Sequence, residues 1–172
     1  MMTQPSTLLQ APLPNATTGI SQARSSLQGQ VTLNFEELTV FDRVADQYRG
    51  VGVRFEAAIA ISPSNPTFTR HTGAIVLMST NNQAEIIAHF RQPIRQIEAA
   101  VCCTSSVMMA AYNANDEVLE QISTEVPQYI KQAGDLPDAL PLQPLGLNRN
   151  PIHKAIFYSD APFILDMLYF EF

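Results

Sequence analysis

The sequence predicts an all-β protein, a jelly-roll β-sandwich of about eight to ten strands carrying an extended N-terminal arm. Three observations lead there. Short runs of alternating apolar and polar residues begin at Val31 and recur to the last residue, Phe172. Clusters of Asn, Asp, Pro and Gln separate them, and no long amphipathic helical period intervenes. A chain that starts and stops on strands, with one long irregular stretch late in its course, fits a jelly roll better than a propeller or an up-and-down barrel. No internal repeat is present.

The elements follow in order. Residues 1 to 29 are rich in Ser, Thr, Gln, Ala and Pro, with Arg24 their single charge and no apolar period, and read as an arm held only by what it touches. The β-sandwich domain is expected over 30–172. In Val31-Thr-Leu-Asn-Phe-Glu-Glu-Leu38, Val31, Leu33 and Phe35 point one way and Thr32, Asn34 and Glu36 the other. Phe41 to Tyr48 reads as a loop or short helical turn. Arg49-Gly-Val-Gly-Val-Arg-Phe55 leads into a strand that continues, interrupted, to Ile61. Ser62-Pro-Ser-Asn-Pro66 is a loop by its turn chemistry. Further strands are expected at Ala74–Ser79, Ala84–Phe90, Ile94–Cys103, Val107–Asn113 and Val118–Thr124. Prolines 127, 137, 141, 144 and 151 mark 127–151 as a long connection, and Ile152–Ser159 and Phe163–Phe172 close the fold.

Composition narrows the function. At 172 residues and 46% hydrophobic, the chain can bury one substantial core. A formal net charge of −6 argues against nucleic acid or an anionic membrane as partner, since both require clustered Lys and Arg. No apolar run approaches the roughly 20 residues of a membrane span. The N-terminus lacks the basic and apolar regions of a secretory signal. The expected location is therefore the cytoplasm or a larger particle, or the cell surface by an unconventional route. Cys102 and Cys103 are neighbours, a geometry that strains a disulfide, and read as two reduced thiols on opposite faces of a strand.

Four segments resemble bacterial jelly-roll β-sandwich domains of the carbohydrate-binding and galactose-binding-like kind, found in exported or surface-anchored proteins. Val31 to Leu38 is similar to their opening VTFDDL strand, and Tyr48-Arg-Gly-Val-Gly-Val-Arg-Phe55 to Y-x-G-x-G-V-x-F. Ala111-Tyr-Asn-Ala-Asn-Asp-Glu-Val-Leu119 is similar to A-Y-D-A-D-G-N-V-L, and Phe163 to Glu171 to the closing x-A-L-D-D-L-x-F-E. The resemblance spans residues 31–172 in order. It departs at Met167, where the second acidic residue would stand, and at Asp116-Glu117, where a turn glycine would.

Asp166 shares the strand face of Ile164, Leu168 and Phe170, and Glu37 the face of Val31, Leu33 and Phe35. A carboxylate at the margin of a core must be compensated. One reading is a structural calcium held by Glu37, Asp166 and Glu36 with backbone carbonyls, as the resemblance implies between first and last strands. The other is hydrogen bonding to backbone N–H groups or arginine. His71, His89 and His153 have no zinc-ligand spacing. Gly50-Val-Gly52 precedes a strand where a dinucleotide loop would need a helix. No nucleophile with a base and no carboxylate pair in a cleft is legible, so no enzyme and no cofactor beyond that calcium is expected.

Two functions remain. The first is a non-catalytic structural or assembly protein, partnered by other proteins or by copies of itself through the sandwich and the arm. The second is a carbohydrate-binding or adhesion-like module with a glycan partner. The absence of Trp weighs against the second, leaving Tyr48, Tyr112, Tyr129 and Tyr158 as aromatic platforms.

Overall fold

The computed structural model describes residues 29–70, 73–80, 84–126 and 139–172. The expected arm, save Gly29, lies outside them, as do His71 and all of 127–138, Tyr129 included. Ten antiparallel strands form one hydrogen-bonded sheet. They are β1 (Gln30–Leu33), β2 (Arg43–Val44), β3 (Val53–Glu56), β4 (Ala58–Ile61), β5 (Val76–Ser79), β6 (Glu85–Cys103), β7 (Val107–Tyr112), β8 (Val118–Ser123), β9 (Gln143–Ser159) and β10 (Phe163–Glu171). A 3-10 turn, Arg49–Val51, precedes β3.

Two long strands turn this sheet into a sandwich. β6 and β9 pair from Glu85↔Tyr158 to His89↔Lys154, and again from Gln96↔Asn148 to Val101↔Gln143, with register shifts on both sides of Ile94↔Ile152. At the shift, Arg91, Gln92 and Pro93 are exposed opposite exposed residues 148–151. Pro93 has no N–H to give the ladder, so the pairing breaks where the strand bends. Before the bend β6 takes β3 on its free edge; after it, β10. β7 and β8 extend the first half beyond β9. β10 carries β1 and β5 along different parts of its other edge, with β4 and β2 beyond β5.

Both halves contribute to one core. Phe55, Ile86, Ala88, Ala155 and Phe157 from one side meet Leu33, Ile97, Leu145, Leu165, Leu168 and Phe170 from the other. Phe35, Tyr48 and Phe55 pack edge to face with centroids 5.8, 6.1 and 6.0 Å apart. Each such pair is worth about 0.5–1.5 kcal/mol beyond its burial. A small second cluster of Val76, Cys102, Leu140 and Ile164 lies outside the main core. The thiols therefore part as expected, Cys102 into the second cluster and Cys103 into the main core, both unbridged.

The sandwich agrees with the sequence reading, but several elements differ from it. The segments expected as two strands on either side of Pro93 are one bent strand, β6. The expected connection 127–151 already contains the first half of β9. The expected loop 41–48 contains β2. β1 stops at Leu33, because Phe35 turns out of the strand at φ 63 and its carbonyl accepts the Leu38 N–H at 3.0 Å. Glu37 is thus exposed beyond the strand and does not share its buried face. In β10 a register shift between Leu165 and Met167 changes the phase of alternation. Phe163 and Leu165 face the main core before it, Leu168 and Phe170 after it, and Ile164 the second cluster. Asp166 sits on that irregularity, 3% exposed.

Candidate functional site

Where β3 meets the bend of β6, the chain makes an open groove of about 410 Å³ lined by Asp46, Arg49, Gly52, Val53, Arg54, His89, Phe90 and Arg91. A second hollow of about 310 Å³ adjoins it through Gly52 and Arg91, walled by Gln30, Gly50, Gln92 and Phe172. The 3-10 turn separates them. It ends on Gly52 at φ 98, a left-handed conformation glycine adopts without a Cβ penalty. A Cβ there would also stand 2.6 Å from the ring of Phe172. The Gly52 carbonyl accepts the Arg91 N–H at 2.8 Å, and Val53 pairs with Phe90, so the turn and the bend are held together.

The groove is a basic place on an acidic chain. Three of the ten Lys and Arg residues line it. Arg54 lies 3.7 Å from Glu56. Arg49 and Arg91 make no ion pair or side-chain hydrogen bond among the described residues. His89 Nε2 is 3.0 Å from Glu56 Oε1 but off the line of a good hydrogen bond. Burial lowers the His89 pKa; Glu56 opposes this, and Arg54 and Lys154 add to it.

The groove continues onto the outer face of the first half-sheet. Register places Arg54, His89, Lys154 and Tyr112 in one row across four strands, and Glu56, Ile87, Ile156, Ala110 and Gln121 in the next. A third row runs Glu85, Tyr158, Met108 and Ser123. Lys154 Nζ stands 4.5 Å from the Tyr112 ring centroid and pairs with Asp116 in the turn after β7. That turn is shaped by Asn113, whose Oδ1 accepts the N–H groups of Asn115 and Glu117 at 2.8 and 3.0 Å. Tyr158 is 38% exposed and Tyr112 half-buried, while Tyr48 is a core residue at 3%. Of the expected aromatic platforms, Tyr112 and Tyr158 therefore share this face.

The carboxylates singled out as cation ligands do not gather at one point. Glu36 Oε1 accepts the N–H groups of Ala74 and Ile75 at 2.9 and 2.8 Å, a hydrogen-bonding role. A Cβ on Gly73 would meet that carboxylate at 2.1 Å. Glu37 faces the Tyr48 hydroxyl, whose ionisation is pushed up first by burial and then by this charge. Asp166 lies in β10. No group of three or more His, Cys, Asp or Glu side chains that could hold a metal ion forms among the described residues. Nor does any described helix have the length and apolarity to cross a membrane.

The sequence pattern does not single out Arg49, Arg54 or Arg91. Arg91 lies more than thirty residues after Arg49 and Arg54, and only the pairing of β3 with β6 joins it to them. Gly50-Val-Gly52 is the one local sign, marking a backbone irregularity beside two arginines.

No protein-family model and no curated protein matches the chain. Among solved structures, the K2 cleaved adhesin domain of Lys-gingipain aligns with TM-score 0.56 at 11% identity, covering 83% of this chain and 98% of that one. The carbohydrate-binding module TmCBM61, solved with β-1,4-galactotriose, aligns at TM-score 0.41 and 8% identity over 76% of this chain and 100% of that one. A family 6 carbohydrate-binding module aligns at TM-score 0.39 and 10% identity over 77% and 94%. The likeness to the first is one of fold: this chain is built as the same kind of β-sandwich as that adhesin domain.

Proposed function

We propose that the chain is a non-catalytic carbohydrate-binding or adhesion-like module whose ligand lies in the groove beside the 3-10 turn and extends onto the face bearing Tyr112 and Tyr158. The observation that carries this reading is the groove itself. Its volume falls within the roughly 300–1,000 Å³ of small-ligand sites. Guanidinium forks, an imidazole and the Asp46 carboxylate converge on it, a set that suits the dense donors and acceptors of a sugar. The adjoining tyrosines offer ring faces. Sharing a fold with an adhesin domain is consistent with this reading. Asp46 is the sole carboxylate lining the groove among the described residues, whereas glycoside hydrolysis uses a flanking pair, which favours binding over turnover.

Glycan-array screening of the full chain, followed by calorimetry, tests the proposal. Saturable binding weakened by Arg91→Ala supports it, and an empty screen at millimolar ligand overturns it. Melting curves in calcium and in chelator test the calcium expectation for Glu36, Glu37 and Asp166 separately. Overlapping curves are expected, because Glu36 already holds the amides of Ala74 and Ile75.

A second reading, an assembly subunit with a protein partner, is favoured by Phe41. This aromatic ring is 76% exposed on a residue at φ 74, and a lone projecting aromatic is a typical interface anchor. Light scattering of the wild-type chain and Phe41→Ser decides it: a drop in mass supports assembly, and equal monomer masses exclude it.

A further inference from the structure

The most telling property of the groove is its unbalanced charge. A guanidinium beside a protein carboxylate is neutralised locally, as Arg95 is by Glu171 and Arg149 by Glu120. Arg49 and Arg91 have no such partner among the described residues, yet both border the hollow that also holds Arg54 and His89. Arg54 is shared with Glu56, which leaves two guanidinium forks for an outside anion. Like charges gathered at one concavity raise the local positive potential, and planar forks match a carboxylate in two-point fashion.

We propose that the groove selects acidic saccharides, taking the carboxylate of a uronic acid unit between Arg49 and Arg91. This rests on the carbohydrate-binding reading above and names the class of sugar. Three observations favour a saccharide over other anions. Asp46 in the same wall accepts hydrogen bonds from hydroxyl groups but repels a densely charged polymer such as a polyphosphate. The chain's charge of −6 disfavours nucleic acid further. An extended acidic peptide would need a free strand edge to join, and the edge of β3 is already closed. The Phe55 N–H donates to the Ala45 carbonyl at 2.9 Å and the Val53 N–H to the Tyr48 carbonyl at 3.3 Å. A uronate carries one carboxylate and several hydroxyls per ring, and the row of His89, Lys154 and Tyr112 gives its neighbouring units polar and ring contacts.

The test is calorimetry of the full chain with three probes: a uronic acid trisaccharide, the matching neutral hexose trisaccharide, and a glutamate oligopeptide of equal charge. The uronic acid probe is expected to bind at least about tenfold more tightly than the other two, with affinity falling as salt rises. Arg49→Gln and Arg91→Gln should each weaken it about tenfold or more, a larger loss than either causes for the neutral probe. Arg43→Gln, on β2 outside the groove, is the control and should bind as wild type. All three sites are exposed, and unchanged urea midpoints establish that the variants fold. Equal affinity for the neutral and acidic sugars overturns the selectivity and leaves the carbohydrate reading standing. Equal affinity for the peptide overturns the choice of saccharide. Binding to neither sugar overturns both readings.

Discussion

Replacing Gly52 by Ala should destabilise the domain far more than the same change two residues earlier, at Gly50. Two costs combine. At φ 98 the backbone lies in the left-handed region, where a Cβ costs about 1–2 kcal/mol. The new methyl carbon would also sit 2.6 Å from Phe172 Cζ. Carbon atoms rest about 3.5–4.0 Å apart, so the ring must retreat by roughly 1 Å. That retreat disturbs its edge contact with Phe170, whose centroid is 5.5 Å away and whose loss is worth about 0.5–1.5 kcal/mol. The total is roughly 1.5–3.5 kcal/mol. Gly50 has no heavy atom within 4 Å of its would-be Cβ and no positive φ, so its substitution should stay within about 0.5 kcal/mol. Urea unfolding followed by far-ultraviolet circular dichroism measures both, since the chain has no Trp for fluorescence. With a slope of about 2 kcal/mol/M, Gly52→Ala should lower the midpoint by about 1 M. In a Phe172→Ala background only the backbone part should remain, giving a coupling of about 1 kcal/mol. Equal midpoints for the Gly50 and Gly52 variants would refute the reasoning, and zero coupling would remove Phe172 from it.

Further outcomes follow from the same geometry. Glu36→Gln should cost about 1 kcal/mol and speed hydrogen exchange at the Ala74 and Ile75 amides, which a purely solvated carboxylate would not affect. For His89, burial places the folded-state pKa below the ordinary 6.5, so the unfolded chain binds more protons between the two values. Its contribution to stability is therefore present above pH 6.5 and is lost as pH falls through the folded value. Glu56, Arg54, Lys154 and Asp116 all act on this imidazole. His89→Gln should flatten the urea midpoint against pH in that window, and an unchanged slope would exclude the residue. Burial pushes the Cys102 thiol up to about 11, and Cys103 is equally buried. Both should resist a thiol reagent at pH 8 until denaturant is added; fast labelling of the native chain would contradict their placement.

Much of the fold is legible because a half-buried strand writes itself as alternation. Val31 and Leu33, Ile86 and Ala88, Met109 and Ala111, and Phe157 all face the main core. The separation of Cys102 from Cys103 is legible in the same way, since it follows from the twofold period alone. What misled the reading were local backbone events. Pro93 looks like the end of a strand, but its neighbours resume pairing on the same partner, and only β9 on the other side keeps β6 whole. The register shift at Asp166 breaks the alternation that grouped this residue with Leu168 and Phe170.

The sequence by itself determined the class of architecture, the core-facing positions of most strands and the charge that disfavours nucleic acid, because these depend on composition and short-range period. The groove was decided by tertiary structure. Arg49 and Arg54 come from around the 3-10 turn, and His89 and Arg91 from a bend in β6 more than thirty residues later. They face one hollow because Val53 pairs with Phe90 and the Gly52 carbonyl takes the Arg91 N–H. Strand register is a cooperative property of the folded sheet: it is set by which apolar faces can close on one another, and no local segment encodes it.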